Sequence, residues 1–270
     1  MVSSAVTPAL TSSTAATTSF TTNNADGSGG VSVTTNSATT TTVGSVTTTT
    51  QSSSTGGTST GSINNASLSS VTLVKGWNLI GNGADQTINV GTVFNDSSKF
   101  TSVWKWVANS TKWAFYAPSL STTSLTSYAA GKSYDVLTSI NAGEGFWVNT
   151  AQATTVNLQI GTTATGINSS SFQAGASKAL PQGWSLIAIG DNKTPAEFNT
   201  ALSATTPTTS TAPLNVTTLW AWDATQSNWM FFAPSLVNSG GLSSYISSKN
   251  YLSFGTKTLT PAMGFWVNKP

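Results

Sequence analysis

The chain has no cysteine, no histidine and no arginine, and its 270 residues include only ten lysines and eight carboxylates. Those absences remove most catalytic chemistry, because no imidazole base, no thiolate nucleophile and no zinc site of the usual kinds can be built. A net charge of +2 on scattered lysines cannot make the basic stripe that phosphate-backbone binding needs, so nucleic acid is not an expected partner. No run reaches the roughly 18 apolar residues of a membrane span. The opening Met1-Val2-Ser3-Ser4 lacks a charged and then apolar leader, so export would use a leader already removed or another signal. Charged residues amount to 7 %, against roughly 25 % in ordinary soluble domains. Thr, Ser, Asn and Gly take their place, which points to an extracellular or cell-surface location.

What the chain has is tryptophan, ten of them, in two matched sets. Gly76-Trp77-Asn78-Leu79-Ile80 recurs as Gly183-Trp184-Ser185-Leu186-Ile187. Val103-Trp104-Lys105-Trp106 recurs as Leu219-Trp220-Ala221-Trp222, and Trp113 to Leu120 as Trp229 to Leu236. Gly145-Phe146-Trp147-Val148-Asn149 closes the first set as Gly264-Phe265-Trp266-Val267-Asn268 closes the second. Two copies of one module must solve the same packing problem. Chemistry that the module needs should also appear in both.

Four segments follow. Residues 1–70 form a Thr/Ser-rich low-complexity segment with one charge, Asp26, and one aromatic, Phe20, too little for a core of its own. They read as a flexible linker, or, because residues 31–50 are nearly all Thr and Val without proline or charge, as an extended strand. Residues 71–160 are repeat 1, 161–178 a Ser/Thr/Gly-rich linker, and 179–270 repeat 2.

Each repeat reads as all-β with one short helix: strands over 71–82 interrupted at Gly76, a hairpin over 103–116 turning at Ala108-Asn109-Ser110-Thr111, and strands over 134–140, 145–150 and 154–161. The hairpin of repeat 2 turns near Ala224-Thr225-Gln226-Ser227. Thr194-Pro195-Ala196-Glu197 is a capping box with proline at the first helical position. It predicts the helix through Phe198, with its counterpart through Phe94. The expected architecture is two tandem small barrels or sandwiches.

Trp104 and Trp106, two apart in a strand, share a face, as do Trp220 and Trp222. Such a row is either core, a contact between modules or subunits, or a platform on which sugar rings stack. Trp77, Trp147, Trp184 and Trp266 adjoin glycines in apolar strands and are expected in the core. The carboxylates do not duplicate: Glu144 aligns with Met263, Asp135 with Leu252, and Asp223 with Val107. Asp85 and Asp191 alone fall in comparable places. A glycosidase-type pair of Asp191 and Glu197 is therefore supported neither by spacing nor by duplication. Gly57-Thr58-Ser59-Thr60-Gly61 matches the nucleophile-elbow pattern, but with no histidine to act as base it carries no chemistry. Asp26-Gly27-Ser28-Gly29 offers too few oxygens for calcium. No catalytic residue, cofactor or metal is expected.

Taken together, the Gly-Trp-Asn-Leu-Ile-Gly opening, the Trp-Lys-Trp hairpin, the Trp-Ala-Phe-Tyr-Ala-Pro segment and the Gly-Glu-Gly-Phe-Trp-Val close resemble a tandem β-repeat of bacterial secreted and outer-surface proteins. The likeness covers residues 71–150 and 179–270. Repeat 2 departs from it at Ala188-Ile189 and Ala262-Met263. The resemblance implies an extracellular, non-enzymatic module.

Two functions fit. One is a structural subunit of a filament or surface coat, a homopolymer in which the segment with Val31, Val33, Val43 and Val46 is donated as a strand to a neighbour. The other is a surface module for adhesion that binds polysaccharide through Trp104, Trp106, Trp220 and Trp222.

Overall fold

The computed structural model describes residues 11–23, 30–43, 46–56, 68–159, 166–205 and 211–270. They divide into two compact units, Met1–Ser67 and Leu68–Pro270. In the first, β1 (Thr11–Asn23), β2 (Gly30–Val43) and β3 (Val46–Gly56) form an antiparallel sheet in the order β1-β2-β3. β-Branched threonine and valine suit the pleated backbone.

The second unit contains both repeats. In repeat 1, β4 (Leu68–Leu73) and β5 (Gly76–Gly81) are separated at Gly76, whose φ of +94° is one that side chains rarely adopt. Then come β6 (Ile88–Asn89), helix α1 (Val90–Val93), the hairpin β7 (Phe100–Val107) and β8 (Lys112–Tyr116), and helix α2 (Thr122–Gly131). Strands β9 (Asp135–Val136), β10 (Ser139–Ile140), β11 (Gly145–Thr150) and β12 (Thr154–Gln159) close the repeat. Repeat 2 supplies β13 (Gly183–Ile187), α3 (Pro195–Ala201), the hairpin β14 (Thr218–Asp223) and β15 (Asn228–Phe232), α4 (Pro234–Asn238), α5 (Leu242–Lys249), β16 (Leu252–Ser253) and β17 (Phe265–Lys269).

The fold is all-β, built on two five-stranded sheets of matching order, β5-β11-β7-β8-β9 and β13-β17-β14-β15-β16. Both are open; neither closes into a barrel. Both hairpins turn where the sequence predicts, with Thr111 (φ 50°) and Ser227 (φ 48°) in equivalent left-handed positions. The capping box of α3 forms, with Glu197 accepting from the backbone of Thr194, and Phe94 and Phe198 are fully buried beside α1 and within α3.

Helix content exceeds the expectation of one per repeat. Each repeat crosses from its hairpin to a short parallel strand, β8 to β9 or β15 to β16, through further helix. In α2 only Leu125 and Ala129 are buried, an i, i+4 pair among Ser and Thr. So narrow an apolar stripe leaves little periodic signal in the sequence.

Strand alternation gives each sheet two apolar faces. One face, with Val103, Ala114, Phe146 and Val148 in repeat 1 and Leu219, Met230, Phe265 and Val267 in repeat 2, covers that repeat's own core. The opposite face carries Trp104, Trp106, Trp113 and Trp147, matched by Trp220, Trp222, Trp229 and Trp266.

Residues 166–178, expected as linker, are instead built in. Ile167 and Phe172 lie in the core of repeat 2, the Ile167 N–H donates to Gly83 O (2.8 Å), and Ile167 O accepts from the Gly190 N–H (2.7 Å). Apolar residues spaced through a Ser/Thr background are enough to anchor a stretch that composition reads as flexible.

Candidate functional site

The tryptophan faces of the two sheets turn toward each other and make one seam. Trp106 Nε1 donates to the main-chain oxygen of Trp184 at 3.0 Å, and its counterpart Trp222 Nε1 donates to that of Trp77 at 3.1 Å. Trp266 packs on Trp106 (6.1 Å between ring centroids) and Trp113 (5.9 Å), while Trp147 packs on Trp222 (6.0 Å) and Trp229 (5.7 Å). Such tilted and edge-to-face pairs are worth about 0.5–1.5 kcal/mol each beyond the area they bury. The backbone follows the same rule: Gly81 N donates to Ala262 O and Ala188 N to Gly143 O, both at 2.9 Å. Bridges pair Ile80 with Met263 and Ile187 with Glu144. Each contact has its counterpart with the repeats exchanged, so the seam has pseudo-two-fold symmetry.

Two clefts open in this seam. One, of about 410 Å³, is lined by Trp106, Trp113, Trp184, Trp220, Trp229, Tyr251 and Trp266. The other, of about 440 Å³, is lined by Trp77, Trp104, Trp113, Tyr134, Trp147, Trp222 and Trp229. Exchanging the repeats converts one set of seven into the other. Volumes of this size, walled by aromatics with a few polar groups, are typical of ligand sites.

The polar groups are indole N–H and phenol O–H. In the first cleft the Nε1 atoms of Trp113, Trp184, Trp229 and Trp266 and the Tyr251 hydroxyl have no partner among the described residues. In the second the same holds for Trp77, Trp113, Trp147 and Trp229 and for Tyr134. None of these atoms is among the fully buried ones without a partner. The remaining ring nitrogens differ. Trp104 Nε1 is spent on Ser102 Oγ (2.9 Å), and Trp220 Nε1 is fully buried without a partner. No charged residue lines either cleft.

The four tryptophans singled out by spacing are therefore not one exposed platform. Trp104 and Trp106 line different clefts, as do Trp220 and Trp222, because the opposed sheet divides the row. Trp77, Trp147, Trp184 and Trp266, expected as core, belong to the seam. Trp77 and Trp184 are 45 % and 44 % exposed at the lips. Alternation explains it: in β11 the buried neighbours Phe146 and Val148 face the core, so Trp147 between them faces away. Trp113 and Trp229, which line both clefts, lie opposite Trp106 and Trp222 in the hairpin register, a pairing that the predicted turns already implied.

Asp191, Glu197 and Asp223 serve local structure. Asp191 accepts from the backbone N–H and hydroxyl of Ser169, and Glu197 is held below the usual carboxylate range by hydrogen bonds from the backbone and side chain of Thr194. Asp223 accepts from Thr225 and Gln226 in its hairpin turn, which lowers its pKa to about 2. Among the described residues no cluster of His, Cys, Asp or Glu could hold a metal, and no helix is long and apolar enough to cross a membrane.

Val31, Val33 and Val43 lie in β2 and Val46 in β3. β2 is paired on both sides, Val33 lying opposite Phe20 in β1 and Gly56 in β3, while β3, which carries Val46, is paired only with β2 among the described residues. Alternating Thr-rich stretches joined by short connections find partners nearby in sequence, where loop closure costs little. Comparison with protein-family models, with curated proteins and with solved structures found no match to this chain.

Proposed function

We propose that the chain is a non-enzymatic extracellular module that binds polysaccharide, each seam cleft taking one neutral pyranose ring. The observation that carries this is the pair of equivalent clefts, each offering aromatic faces together with indole N–H groups and one phenol hydroxyl that no described residue uses, the indoles of Trp113 and Trp229 being common to both. A pyranose presents an apolar C–H face for stacking and hydroxyls that accept from those donors. The uncharged lining favours neutral sugars over uronates or sulfated glycans. Absence of histidine and cysteine, and the local hydrogen bonds that occupy Asp191, Glu197 and Asp223, support a binding role over catalysis.

Affinity electrophoresis through gels carrying soluble β-linked neutral glycans tests the reading. The protein should be retarded, and Trp77→Ala with Trp184→Ala should restore free migration. Unretarded migration of the intact protein in every such gel would count against it.

A second reading, a homopolymeric surface filament, is favoured by the outer edges of β1 and β3, which pair with no other strand among the described residues. Neither strand carries the charges or proline that usually block edge pairing. Fibres formed by the full chain and not by residues 68–270, seen by electron microscopy, would support it.

A further inference from the structure

The seam presents the same surface on both sides, which is the condition for self-pairing between molecules. We infer that a second copy of this chain can take the place of the repeat within the same chain when the seam opens, and that the Gly81–Ala188 pair decides which repeats can meet. These two residues are equivalent in the two repeats and face each other across the pseudo-two-fold axis. A Cβ built on Gly81 would lie 2.5 Å from the Ala188 Cβ and 2.6 Å from the Met263 main-chain oxygen, both in repeat 2. Repeat 2 against repeat 2 would bring two alanine methyls to the first of these separations, far inside van der Waals contact. Repeat 1 against repeat 1 would bring together two glycines. The seam thus admits repeat 1 with repeat 2, as in the folded chain, admits repeat 1 with itself, and excludes repeat 2 with itself.

Gly145 approaches Ile187 O and Gly264 approaches Ile80 O, so both repeats carry glycine there. Glu144 is turned into its own repeat by Lys105 and Asn141 and does not reach across. Each repeat has its own core cluster, and Ile167 and Phe172, joined to repeat 1 at Gly83 and Gly143, belong to that of repeat 2.

Two full-length variants test the inference. In Gly145→Val the nearest atoms to the new Cβ belong to Ile187 and Leu186 of repeat 2, and in Gly264→Val to Ile80 of repeat 1, so each spoils one half of the seam. Light scattering after size exclusion should find Gly145→Val monomeric at 27.7 kDa, because its intact repeat 2 cannot pair with itself. Gly264→Val should dimerise through repeat 1, and a mixture should give a one-to-one complex at twice the monomer mass. Adding Ala188→Gly to Gly145→Val should convert the monomer into a dimer. Gly145→Ala and Gly264→Ala, milder changes at the same contacts, should give the same pattern if the valine variants fold poorly. Both variants monomeric alone and when mixed, or Gly145→Val dimerising as fully as Gly264→Val, would overturn the inference.

Discussion

Trp106 and Trp184 are joined across the two repeats by a hydrogen bond from an indole nitrogen to a main-chain oxygen at 3.0 Å, and Trp222 and Trp77 repeat the bond with the roles exchanged at 3.1 Å. Replacing either donor with phenylalanine keeps a ring and removes the bond. Trp106→Phe and Trp222→Phe should each cost about 1 kcal/mol. Chemical denaturation should find the two losses equal to within a few tenths, because the two environments are equivalent. A large inequality would mean that the seam is not two-fold in its energetics.

Lys105 and Glu144 form a 2.8 Å ion pair in repeat 1, with Lys105 buried and Glu144 partly so. Repeat 2 has Ala221 and Met263 at these places, so the chain already contains the apolar alternative. Removing one partner strands the other charge. Lys105→Ala should destabilise by about 2 kcal/mol, below the 3–5 kcal/mol of fully buried pairs because Glu144 is partly solvated. Lys105→Ala with Glu144→Met should recover most of that loss. Denaturation midpoints of the two single variants and the double give the coupling directly.

Iodide should reach few of the ten tryptophans. Trp77 and Trp184 alone among them are classed as exposed, at 45 % and 44 %, while the other eight are half-buried. Substituting both by phenylalanine should remove most of the quenchable emission in a Stern–Volmer titration. Strong residual quenching would place further rings in open solvent.

Much of this arrangement is legible in the sequence. The duplicated Trp blocks, the two hairpin turns and the capping box of Thr194 and Glu197 announce two β-modules, with a helix through Phe198 and a shorter one that ends just before Phe94. The seam is less legible. Alternation says that Trp104 and Trp106 share a face, and it could have placed Trp147 opposite Phe146, but it cannot say what covers that face. Whether two apolar faces of separate sheets meet is decided by chain geometry between them, and that depends on Ile167 and Phe172, which composition presents as linker. Helix α2 stayed hidden because its buried stripe is only Leu125 and Ala129.

Stability should be flat through neutral pH, since the chain has no histidine. At low pH Asp223 contributes. Its folded pKa is depressed from 3.8 to about 2, chiefly by the Thr225 hydroxyl, so its stabilising effect is present above 3.8 and is lost as pH falls toward 2. Acid titration of Asp223→Asn should lack this part of the decline, a small difference because the site is near the surface. An unchanged profile would mean that the turn does not depend on the charge.

Calorimetric titration with a neutral β-linked oligosaccharide tests most directly whether the two equivalent clefts take sugar rings. Two sites of equal affinity are expected for the intact chain, with one lost in Trp184→Ala and the other in Trp77→Ala. Absence of binding heat across neutral β-linked oligosaccharides, or a stoichiometry that neither substitution changes, would contradict it.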